Sequence, residues 1–85
     1  MVVVLLPAVL AAEAGGRKRF EAEAATVGDA LRSLPIADRV LDERGELRPL
    51  VNVYVDGTDA RERGGLAAPL TGGETLRLVG AIAGG

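Results

Sequence analysis

Eighty-five residues, 48% of them apolar, with a net charge of −2, make one small domain with an aliphatic core, because Phe20 and Tyr54 are its only aromatic side chains. The chain has no cysteine, which excludes disulfides, thiolate catalysis and cysteine-ligated iron–sulfur or zinc sites. It has no histidine either, so the commonest general base and metal ligand is missing, and its acidic balance argues against a nucleic-acid partner.

Met1 to Ala12 is almost wholly apolar, but it lacks a positive leading region and carries Pro7. It also falls short of the roughly 20 residues needed to span a bilayer. The expectation is a cytoplasmic protein with no membrane partner. Val2–Leu6 is a continuous run of branched aliphatics, as expected of a central strand covered on both faces. Pro7 ends regular pairing, and residues 7–16 read as a loop with Val9 and Leu10 tucked against the core. Arg17–Glu23 alternates Lys18, Phe20 and Ala22 against Arg19, Glu21 and Glu23, a charged pattern that suits an edge strand. The Arg17-Lys18-Arg19 run reads as a solvated hairpin end, with a basic patch as the alternative.

Thr26 followed by Asp29 marks a helix start, a variant of the capping box. Val27, Ala30, Leu31 and Leu34 then recur at helical spacing and form one apolar stripe. Pro35 breaks that helix. Ile36–Leu41 adds a further turn with Ile36, Val40 and Leu41 on the core, and residues 42–46 form a polar turn. Leu50–Val55 is the clearest strand, with Val51, Val53 and Val55 on one face and Leu50, Asn52 and Tyr54 on the other. Asp56-Gly57 signals a hairpin turn. Residues 58–73 leave room for only a very short strand, placed near Leu66. Glu74–Val79 is the last strand, with Leu76 and Leu78 facing one side.

The resulting order, β-β-α-β-(short β)-β, is an α+β domain over residues 1–80: a mixed sheet of four or five strands with one main helix on one face. A single helix covers one face of such a sheet. Yet the first strand is apolar on both sides, and Leu50, Tyr54 and Val79 lie opposite the core-facing valines and leucines. An apolar area should therefore remain on the open face, either as a docking surface or as scattered surface aliphatics. Asp42 with Glu43, and Asp56 with Asp59, read as turn and surface residues rather than as catalytic or metal-binding carboxylates. No catalytic, cofactor-binding or metal-binding residue is expected.

Residues 81–85, Ala81-Ile82-Ala83-Gly84-Gly85, form a small, apolar, uncharged tail, expected to be flexible. Gly-Gly pairs also occur at 15–16, 64–65 and 72–73, so the dipeptide alone says little. Its position directly after the last strand says more. Glycine carries no Cβ, so such a tail can thread a narrow channel and leave its terminal carboxyl carbon unhindered.

Four stretches in this order and spacing carry a resemblance: Thr26-Val27-Gly28-Asp29-Ala30-Leu31, Leu41-Asp42-Glu43-Arg44-Gly45-Glu46-Leu47, Val51-Asn52-Val53-Tyr54-Val55-Asp56-Gly57 and the final Gly84-Gly85. Almost the whole chain resembles the ubiquitin-like sulfur-carrier proteins of the MoaD/ThiS type. With Gly64-Gly65-Leu66-Ala67 and the Ala81–Gly85 tail, it is most similar to the actinobacterial carriers of cysteine biosynthesis. The resemblance implies a β-grasp fold and a protein cosubstrate rather than an enzyme. It implies that an E1-like adenylating enzyme consumes ATP to activate the Gly85 carboxylate, and that a sulfurtransferase or sulfide source converts it to a thiocarboxylate. The sulfur would pass to a downstream synthase, pyridoxal-phosphate-dependent or otherwise. Ala81, Ile82, Ala83 and Gly84, with Tyr54, Leu50 and Val79, would bind the partners. The alternatives it leaves are the small subunit of molybdopterin synthase, a ubiquitin-like protein modifier, or a plain interaction module.

Overall fold

Side-chain alternation along five strands decides how the sheet divides core from solvent. In the computed structural model, which describes residues 1–80, the strands are β1 (Val2–Leu5), β2 (Arg19–Ala22), β3 (Val51–Val55), β4 (Thr58–Asp59) and β5 (Thr75–Gly80). They form one sheet in the order β2-β1-β5-β3-β4. The two central strands, β1 and β5, run parallel with Val4 beside Leu76; the other pairings are antiparallel. The register puts Val2, Val4, Ala22, Val51, Val53, Val55, Leu76 and Leu78 on one face, and all are buried. Each of the larger aliphatic side chains contributes about 1.5–3 kcal/mol through its burial.

Three short helices supply the other half of the core: α1 (Ala8–Glu13), α2 (Val27–Arg32) and α3 (Ala37–Val40). Helix α2 begins as its sequence demands. The Asp29 N–H donates to Thr26 Oγ1 at 3.1 Å, which satisfies one of the orphan donors of the first turn. The Asp29 carboxylate turns away from the reciprocal bond and accepts from Arg32 Nη2 at 2.8 Å. Val27, Ala30, Leu31 and Leu34 are all buried, as are Ile36, Val40 and Leu41 around α3.

Four expectations need correction. Residues 7–16 are not a loop: Ala8–Glu13 is helical, entered at Pro7 and left through Gly15 and Gly16, both with positive φ. Alanine-rich sequence favours the helix and the glycines stop it. Its Leu10 is buried, but Val9 is 43% exposed rather than tucked in. The short strand lies at Thr58–Asp59, directly after the turn, while Leu66 sits in a 3₁₀ turn over Gly65–Ala67. Asp56 and Gly57 both take positive φ, 49° and 87°, so the chain reverses in two residues and pairs at once, Val55 with Thr58. Finally, β1 is covered on one face only. All three helices contribute to one core cluster, which leaves Val3 and Leu5 half-buried on the other side.

Candidate functional site

The uncovered face of the sheet carries Val3 and Leu5 from β1, Asn52 and Tyr54 from β3, and Thr75, Arg77 and Val79 from β5. That grouping follows from the register, in which Arg77 lies between Leu5 and Tyr54, and Val79 lies beside Asn52. Tyr54 is half-buried and Val79 is 41% exposed. Leu50 precedes β3 by one residue and is 51% exposed. It stands at the end of the β3–β5 pair where Val51 meets Gly80. Of the three docking residues expected from the sequence, Tyr54 lies toward the hairpin end of β3, opposite Arg77, while Leu50 and Val79 stand toward the Val51–Gly80 end. Ala81, Ile82, Ala83, Gly84 and Gly85, expected to form the reacting tail, lie outside the described residues; β5 leads to them from this same end.

Tyr54 is flanked by an ordered polar cluster. Arg61 Nη2 donates to Asn52 Oδ1 at 3.0 Å and to Asp59 Oδ2 at 2.8 Å, while its Nε donates to Asp59 Oδ1 at 3.1 Å. The guanidinium holds the Asp59 carboxyl below the usual carboxylate range, and the Arg61 N–H, donating at 2.9 Å, reinforces the effect. Asp59 also lies beside Tyr54 in the β3–β4 ladder, so this cluster fixes the rim of the face.

Three further carboxylates, Asp42, Asp56 and Glu74, organise turns. Asp42 Oδ1 accepts from the N–H groups of Glu46 at 3.0 Å and Arg44 at 2.9 Å, and these bonds hold its carboxyl low. Asp56 Oδ1 accepts from the Thr75 N–H at 3.0 Å and ties the hairpin turn to β5. Glu74 accepts from the Thr71 N–H and the Gly72 N–H, both at 2.8 Å, and from Thr71 Oγ1 at 3.1 Å. Led by the Thr71 backbone bond, these donors pull its carboxyl down to about 2. Among the described residues no group of three acidic side chains converges to hold a metal ion, and no charged side chain is buried.

Sequence reasoning passed over Arg77 and the Arg61–Asn52–Asp59 cluster. Alternation from Val79 places Arg77 on the open face, so that signal was available. The contact of Arg61 with a residue nine positions away had no local signal.

The sequence model described as the ThiS family matches residues 4–85, a span that reaches the final glycine. The sulfur carrier protein CysO of Mycobacterium tuberculosis is 34% identical over 91 residues, covering 99% of this chain and 98% of that protein. Its crystal structure superposes with a TM-score of 0.86 at 32% identity, over 95% of this chain and 99% of the other. A chain of the BexX/CysO complex of Amycolatopsis orientalis matches over the full length of both, with 38% identity and a TM-score of 0.84. The small archaeal modifier protein 3 of Haloferax volcanii is 38% identical over 66 residues, 72% of this chain and 71% of that one.

Proposed function

From the premise that this chain belongs to the ThiS family, we propose that its Gly85 carboxylate is the group on which sulfur is carried. The protein is a sulfur carrier, a cosubstrate rather than an enzyme, related to the sulfur carrier protein CysO. The observation that carries this reading is the family match running through Gly85, joined to near full-length similarity to CysO.

The chemistry follows from the leaving group. A carboxylate is a poor acyl donor because oxide does not leave. An oxygen of the Gly85 carboxylate attacks the α-phosphorus of ATP, the bond to pyrophosphate breaks, and an acyl-adenylate forms. Sulfide then attacks the acyl carbon and AMP departs, leaving a thiocarboxylate; with a persulfide donor an acyl disulfide forms first, which a thiol must cleave, itself becoming a disulfide, to release the thiocarboxylate. The product is a nucleophilic sulfur on a protein handle, obtained without any cysteine in the carrier. The chain contains no Gly-x-x-x-x-Gly-Lys-Ser/Thr loop, so ATP is assigned to an E1-like adenylating enzyme. Tyr54, Leu50 and Val79 dock that enzyme, and residues 81–84 lead Gly85 into its active site. The thiocarboxylate then serves a sulfur-accepting synthase, which the resemblance read from the sequence makes a pyridoxal-phosphate enzyme of cysteine biosynthesis. Partners of this kind assign the protein to the cytoplasm; none of the helices among the described residues is long and apolar enough to cross a membrane.

The test is intact-protein mass spectrometry after incubation with an adenylating enzyme, ATP and sulfide. A gain equal to replacing one oxygen by sulfur is expected, located on Gly85 and absent when Gly84 and Gly85 are deleted. The similarity to an archaeal modifier favours a second reading, attachment of Gly85 to lysines of other proteins. A ladder of lysine adducts in cells, with no thiocarboxylate formed, would replace the carrier reading by that one.

A further inference from the structure

The strands present four charged side chains to the open face or its rim: Arg19, Glu21, Asp59 and Arg77. Arg19 pairs with Glu21 at 2.7 Å, and Asp59 pairs with Arg61 at 2.8 Å. Of these four, Arg77 alone is in no ion pair among the described residues. Asp56, across the turn, is engaged by the Thr75 N–H.

An exposed arginine without a partner is ordinary where water surrounds it. The neighbourhood of Arg77 is different: it stands in register between Leu5 and Tyr54, with Thr75 and Val79 two residues away along its own strand. Any protein that covers Tyr54 and Val79 also strips water from this guanidinium. An isolated cation is costly to desolvate, and the cost is offset only when the partner supplies an acceptor, best a carboxylate. Arginine presents a planar fork that such a carboxylate can meet with two parallel hydrogen bonds. A partner without one is rejected, so the same group that admits one surface excludes others.

We propose that Arg77 is the specificity-determining cation of the docking face, and that it meets a carboxylate set in an apolar surface of the E1-like adenylating enzyme. The inference rests on the carrier reading above and names the chemistry of the partner surface. The assay is steady-state adenylation by the E1-like enzyme of the same organism, followed as pyrophosphate release over a range of salt concentrations. Arg77→Leu is expected to raise KM for the carrier about tenfold with kcat unchanged and to flatten its salt dependence, as loss of one complementary charge does. Arg77→Lys keeps the charge but not the fork, so it is expected to restore the salt slope and only part of the affinity, which a merely structural role would not predict. The side chain is exposed, so thermal midpoints should stay together and an unfolded variant would be recognised. If Arg77→Leu matches the native chain in KM and in salt dependence, the assignment of Arg77 is overturned while the carrier reading stands. If the native chain itself releases no pyrophosphate, the carrier reading falls and takes this proposal with it.

Discussion

Replacing Tyr54 by glutamate separates docking from folding more cleanly than any other single change. Tyr54 stands on the solvent face of β3, opposite Arg77 on β5 and Asp59 on β4. Its neighbours Val53 and Val55 point into the core and are untouched by the substitution. The new carboxylate gains attraction from Arg77 and repulsion from Asp59, two cross-strand effects of about 0.2–1 kcal/mol each and opposite in sign. The lost β-propensity costs a few tenths more within a scale spanning about 1 kcal/mol. Stability should therefore fall by no more than about 1 kcal/mol, or roughly 4–8 °C in Tm for a domain this small. Binding should suffer far more. An aromatic at the centre of an interface contributes about 2 kcal/mol or more, close to thirtyfold in affinity. The introduced carboxylate would also compete for Arg77 against the carboxylate of the enzyme. The expected result is a KM at least thirtyfold higher in the adenylation assay, with circular dichroism showing a folded chain. A folded variant with native KM would refute the docking face, and an unfolded one would refute the placement of Tyr54 on the open side.

Two further outcomes follow from the core and from the loop before β5. Leu76 is fully buried between Val4 and Val55, so Leu76→Ala should cost about 2–5 kcal/mol, a large part of the stability of an 85-residue domain; a urea-midpoint change equivalent to under about 1 kcal/mol would contradict the face assignment. Glu74 has a folded-state value of about 2 against an ordinary 4.5, so its contribution is fully present above the unfolded value and is lost as pH falls through the folded one. The Tm difference between the native chain and Glu74→Gln should be greatest above about pH 5 and should close toward pH 2, and a constant difference would show that the Thr71–Gly72 contacts do not act through the charge.

Much of this architecture can be read residue by residue. Thr26 with its apolar stripe locates α2, because a cap and a period of 3.6 point to the same start. Val51-Asn52-Val53-Tyr54-Val55 locates β3 and its two faces, because alternation has no helical alternative over so short a β-branched run. The edge position of β2 is visible in Arg19 and Glu21. What escapes the sequence is what has too few residues to establish a period. Helix α1 is six residues long, less than two turns, and its apolar Val9 and Leu10 diverge because only one of them meets the core. Strand β4 is two residues long and exists only because the Asp56-Gly57 turn delivers Thr58 to Val55. The half-exposure of Val3 and Leu5 depends on all three helices lying on the same side, a tertiary fact that no local window contains. The open-face positions of Tyr54 and Val79 were legible through alternation; their relation to Arg77 needed the register of three strands together.

The pairing of β1 with β5 joins residues 3–5 to residues 75–77, nearly opposite ends of the described chain. Neither the face nor the core can be completed on a ribosome until the last strand has emerged, since β5 is the seam that holds β1 to β3. Contacts so distant in sequence are slow to form, and a chain interrupted before residue 75 is left with two unjoined hairpins and exposed valines. The strand that closes the sheet also carries Arg77 and Val79 and leads into the tail. A chain that has not formed β5 lacks the face that Arg77 and Val79 complete, so on the carrier reading the fold would act as a licence, admitting only a finished domain to loading with sulfur.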